Sequence, residues 1–175
     1  MARGATEKTI AVADASFLIG ISVVRQWETL RALVDKLYVT PTVWQEVVLQ
    51  GQGRPGAQEV KQIDFIEQRS VQKTAMLQML SAFLDPGEAE TLALAQETGC
   101  SVVFIDELRG RKAATAAGLL PMGIVGFLIA AKQNGLIQEV RPLLETLLRH
   151  GFRLSTKVID TALQQAGEKL EPNVE

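Results

Sequence analysis

The chain has one cysteine, Cys100, and one histidine, His150, in 175 residues. A lone cysteine excludes an internal disulfide and any cysteine-built zinc site, and it points to a cytoplasmic redox setting. Standing before the apolar "SVVFI", it reads as a buried thiol. The lone histidine lies at a helix end beside Gly151 and reads as structural, which sets aside a Ser/His/Asp triad and a histidine-rich metal centre. Charge of one sign is lacking too: 18 basic and 20 acidic residues leave a net −2. No global field advertises nucleic acid, although a local basic patch stays open. With 47% hydrophobic residues the chain can fill one core and is short for two domains.

Three stretches imitate signals that their context denies. Residues 113–131 are uncharged and flanked by Lys112 and Lys132, long enough for a membrane span. Gly118, Pro121, Gly123 and Gly126 divide them into a helix end, a short strand and a new helix, so no membrane segment is expected. The N-terminal apolar run is a poor signal peptide, being interrupted by Asp14 with no clear cleavage site after it. "GQGRPG" at 51–56 fits the glycine pattern of a dinucleotide-binding loop but follows a helical segment and contains Pro55, so it reads as a surface loop.

Strands are expected at about 10–14, 37–40, 101–105 and 120–125, separated by amphipathic segments of helical length. Such alternation implies an α/β domain with a parallel sheet covered on both faces. Beyond Arg141 two leucine-rich helices join around "HGFRLS", with Ser155 as N-cap of the second.

The acids then stand out. Asp14 ends the first strand and Asp106 ends "SVVFI", so both face the rim where parallel sheets bind ligands. Glu46 lies one turn into a helix opened by Thr40 and Pro41, among apolar neighbours. In "DPGEAETLALA", Asp85 and Glu88 form a capping box, which explains Glu88 without chemistry. Glu90 borders the apolar side of that helix, where an acid is costly unless paired, protonated or bound to a cation. Carboxylates converging without histidine or cysteine call for a hard cation, Mg2+ or Mn2+. After Asp106, "ELRGRK" sets Arg109, Arg111 and Lys112 in the first turns of a helix, where the macrodipole favours acids; a polyanion gives those cations a reason, and a solvated face with Glu107 as counter-charge is the plain alternative.

"VADASFLIGI", "VTPTVWQEV", "DPGEAETLALA", "VVFIDELRGRKAA" and "GIVGFLIAAKQNGLI", in this order, resemble the PIN-domain superfamily of nucleases, in particular the branch near the VapC toxins. The resemblance covers about 10–167, leaving tails at 1–9 and 168–175. It implies a three-layer α/β/α sandwich with a mainly parallel central sheet. It implies a metal-dependent endoribonuclease in which Asp14, Glu46, Glu90 and Asp106 bind the metal, with Glu88 competing with Glu90 for the third place. Ser16 falls on the family's polar position after the first acid, and Arg111 on a basic position after the last; with Arg109 and Lys112 these residues form the expected RNA contact. Family members are often toxins held by a small antitoxin protein, and many are homodimers. In this sequence Gly110 stands where alanine is expected before Arg111. The rival readings are a catalytically silent PIN-like module that binds RNA or a protein partner, and a phosphate-receiver domain, for which "VADAS" lacks the paired acids.

Overall fold

β1 (Ile10–Ala13) carries no polar side chain because helices cover it on both sides. Around it the computed structural model, which describes residues 9–169, builds a five-stranded sheet in the order β3-β2-β1-β4-β5. The other strands are β2 (Lys36–Val39), β3 (Ile66–Gln68), β4 (Val102–Phe104) and β5 (Leu120–Met122), and every pairing is parallel. The expected strands are all present, each ending one or more residues sooner than expected, and β2 starting one residue earlier. β3 was not foreseen: its "IEQ" is a three-residue edge strand, half exposed, with too little apolar surface to mark it.

Alternation along the central strands divides the core. Ala11, Ala13, Leu37, Val39 and Phe104 pack on one face with α1 (Ala15–Val23), α8 (Ile124–Gln133) and α9 (Arg141–Arg149). Val12, Tyr38, Val103 and Ile105 pack on the other with α6 (Pro86–Thr98) and α7 (Leu108–Ala116). This is a three-layer α/β/α sandwich. Shorter helices α2 (Trp27–Leu33), α3 (Pro41–Trp44), α4 (Glu59–Gln62) and α5 (Ala75–Ser81) fill the connections, and α10 (Thr156–Gln165) closes on α8.

The local signals act as their chemistry dictates. Thr40, Asp85 and Ser155 each cap a helix through a side-chain oxygen, and Asp85 with Glu88 forms the reciprocal capping box. The uncharged run at 113–131 becomes the end of α7, then β5, then most of α8, and among the described residues no helix is long and apolar enough to cross a membrane. Cys100 is buried and His150 is the C-cap of α9. Of the expected tails, only Thr9, Glu168 and Lys169 fall among the described residues. Glu168 is part of the packed fold: its carboxylate accepts from Lys132 Nζ (2.7 Å) and from the amides of Val140 (2.6 Å) and Arg141 (3.1 Å).

Candidate active site

The strand order reverses between β1 and β4, since β2 and β3 continue to one side and β5 to the other. Connections diverge there and leave a crevice beyond the carboxyl ends of the two strands. Asp14 follows β1 directly, and its backbone amide donates to the Phe104 carbonyl at the end of β4 (2.9 Å). Asp106 lies two residues beyond β4, so neighbouring strands deliver both carboxylates to one crevice.

Asp14 is also the N-cap of α1. Its Oδ1 accepts the Phe17 amide at 2.8 Å, and the residue is only 3% exposed. Burial pushes its carboxyl well above the ordinary range; the Phe17 amide opposes this, and the charges of Asp106 and Glu88 add to the rise.

Asp106 Oδ1 accepts the Ile124 amide at the start of α8 (2.8 Å). Gly123 permits that approach, because a Cβ there would stand 2.7 Å from the same oxygen. Asp106 Oδ2 is shielded from solvent and has no hydrogen-bond partner among the described residues. Burial raises this carboxyl to about 6, against the Ile124 amide and the Arg111 charge.

Glu46 stands where α3 passes into a π-helical turn, Gln45–Leu49, which widens the helix by one residue per turn and re-aims its side chains. Its carboxylate rests against Gly87 in the first turn of α6. Glu88, one residue on, is 7% exposed and faces Gly110, where a Cβ would stand 3.2 Å from Glu88 Oε1 and 2.4 Å from Ile105 Cδ1. The glycine that departs from the family's alanine is therefore what lets α7 close on this acid. Burial raises Glu46 and then the charges of Asp85 and Glu90 do; Glu88 is raised by burial and by Asp85, Glu107 and Glu46.

Asp14, Ser16, Glu46, Asp85, Glu88 and Glu107 line a cleft of about 160 Å3. A larger groove of about 570 Å3 lies beside it, where Asp106 and Arg111 are found. Ser16 and Glu107 line both, so the two hollows are one furrow. Glu90 is only partly buried and lines neither hollow, though close enough to raise Glu46. Arg109 and Lys112 are exposed on α7 and line neither hollow.

Glu107, the N-cap of α7, and Asp85 were not singled out as cleft residues by sequence. Asp85 had a sufficient role as a cap. Glu107 gave a fainter signal as a second acid beside Asp106; it makes no salt bridge with Arg109, Arg111 or Lys112, so the counter-charge reading finds no ion pair among the described residues.

Among the described residues no three His, Cys, Asp or Glu side chains are drawn together as a ready ligating set. The donor chemistry nevertheless suits a hard cation: every candidate ligand is a carboxylate oxygen, the acids raise one another's protonation, and Asp106 Oδ2 is an orphaned buried acceptor.

The site is thus a group of carboxylates lining the switch point of a parallel α/β/α sandwich. The family described as PIN domain matches residues 10–168, and the chain belongs to it. PIN domains are in general nucleases that use divalent metals and act on RNA. No curated protein matches the chain, and no solved structure does.

Proposed function

We propose that the protein is a divalent-metal-dependent endoribonuclease. The observation that carries this reading is the undercompensated acid cluster: Asp14 is buried against the charges of Asp106 and Glu88, and among the described residues Asp106 Oδ2 has no hydrogen-bond partner and Arg111 is the one cation that bears on Asp106. At neutral pH such carboxylates ionise together at a cost that a cation between them would remove. Asp14, Glu46, Glu88 and Asp106 would hold Mg2+ or Mn2+, with Glu88 taking the third place in preference to Glu90 because it lines the cleft. Bound there, the metal supplies a water of lowered pKa and neutralises charge on a phosphodiester.

The chain's own groups do the remaining work. The Phe17 and Ile124 amides fix one oxygen each of Asp14 and Asp106 and leave the second free to ligate. Arg111, on the groove wall, draws the phosphate backbone in, and Ser16 on the shared rim offers it a hydroxyl. Arg109 and Lys112 extend the positive field outside the furrow. Pairing with a small antitoxin protein, and homodimerisation, follow from the resemblance to the VapC branch and form part of this proposal.

The test is calorimetric titration of manganese into parent and Asp14→Asn protein, followed by RNA. Binding and cleavage in the parent, both lost in the variant, are expected. A parent that takes up no metal and cuts no RNA overturns the reading in favour of a silent PIN-like module that binds RNA or a protein partner.

A further inference from the structure

The larger groove has a wall that the acid cluster does not account for. After α9 the chain turns sharply through His150 and Gly151, the latter at φ +87°, and the Gly151 and Phe152 amides donate back to Leu148 (3.0 Å) and Leu147 (3.1 Å). This is a Schellman turn, which a left-handed glycine allows and which fixes the residue after it. That residue is Phe152. Part of its ring packs on α1, where a side chain at Gly20 would stand 3.4 Å from its Cε1, while Phe152, Arg153 and Leu154 line the groove.

The groove holds about 570 Å3, within the usual range for a bound small molecule or one segment of a polymer. It adjoins the acid cleft at Ser16 and Glu107, and two arginines are among its lining residues, Arg111 on α7 and Arg153 beyond α9. Arg153 forms no ion pair among the described residues. An anchored aromatic residue and two arginines lining one groove beside the acid cleft match an unpaired nucleotide: the base would stack on the ring and its phosphates would meet the arginines. A duplex keeps its bases stacked inside and presents nothing to such a ring.

We infer that Phe152 and Arg153 form the nucleotide subsite beside the scissile phosphate, where an unpaired base stacks on the Phe152 ring. The inference rests on the nuclease reading for its cleavage readout but has a binding readout independent of it. Phe152 and Arg153 are positioning residues.

The experiment uses the full chain, a fluorescent single-stranded RNA oligonucleotide and its duplex. Anisotropy is read in chelator, and cleavage kinetics are read in manganese. Phe152→Leu, which keeps the apolar packing and loses the aromatic face, should raise both Kd and KM about tenfold at nearly constant kcat. Phe152→Trp should restore both, Arg153→Gln should weaken binding and flatten its salt dependence, and duplex should bind poorly. Unchanged KM in Phe152→Leu, equal losses in the Leu and Trp variants, or a duplex bound as tightly as the single strand overturns the subsite while leaving the nuclease intact. Binding that responds to Phe152 without any cleavage overturns the nuclease and leaves the subsite. A parent that neither binds nor cleaves overturns both.

Discussion

The Glu46 carboxylate lies against the Cα of Gly87: a side chain there would stand 3.0 Å from Oε1 and 3.2 Å from Oε2. Two helices from opposite ends of the β2–β4 connection thus meet at an acid and a missing methyl group. Gly87→Ala is expected to leave stability unchanged or raise it by up to about 1 kcal/mol, since alanine suits a helix better and the carboxylate can swing aside. The same swing should lower metal affinity and cleavage by about tenfold or more. Urea denaturation set beside manganese titration checks the pair of outcomes; an active Gly87→Ala protein removes Glu46 from the site.

Glu88 and Glu90 share a helix but not an environment. Glu88→Gln should depress kcat by on the order of a hundredfold while costing at most about 1 kcal/mol through its capping contact, which at 3.4 Å is long. Glu90→Gln should change cleavage little, its contribution being a repulsion with Glu46. Cleavage rates of the two variants, compared at saturating manganese, decide between them; the reverse order of loss returns the third ligand place to Glu90.

Asp106 titrates near 6 when folded and near 3.9 when unfolded, so its protonated form is the one the metal-free fold prefers. Its favourable contribution is complete below about pH 4 and is lost as pH rises through about 6, amounting to about 3 kcal/mol at most. Asp14, raised by burial in the same direction, adds to the effect. In chelator, Asp106→Asn should therefore be more stable than the parent at pH 7.5 and close to it at pH 4, because asparagine can still accept the Ile124 amide. Manganese should raise the parent's Tm at pH 7.5 and not that of the variant. Thermal melts across this pH range measure both effects, and a parent that gains on Asp106→Asn as pH rises contradicts them.

Glu168 works in the opposite sense. Burial alone would raise its carboxyl, but Lys132 and the amides of Val140 and Arg141 outweigh that and hold it below the ordinary value. Its contribution is present above the unfolded pKa of about 4.3 and fades as pH falls through the lower folded one. Glu168→Ala should destabilise by about 2–4 kcal/mol, leaving two amides and an ammonium group without their acceptor. Denaturation at pH 7 tests this, and a change below about 0.5 kcal/mol would make the cluster incidental.

Elements with strong local chemistry were legible in the sequence. "SVVFI" reads as a strand buried on both faces because nothing in it after Ser101 tolerates water, and Thr40, Asp85 and Ser155 announce helix starts through the one hydrogen bond each makes. β3 and the π-helical turn at Gln45–Leu49 were not legible: the strand is held by pairing with β2, and no residue type marks one extra residue in a helical turn. Asp14 and Asp106 could be placed from strand ends alone. Glu88 could not, because its capping role accounted for it fully until α7 closed on it over Gly110.

The sequence by itself determined the α/β alternation, the helix caps and the gathering of acids at the carboxyl ends of the strands, since each follows from residues a few positions apart. Only the tertiary structure decided which glutamate lines the cleft, which cation of "ELRGRK" reaches the groove, and that Phe152 and Arg111 line the same groove. Those relationships join segments separated by tens of residues, and packing, with a glycine wherever a carboxylate comes close to backbone, is the force that fixes them.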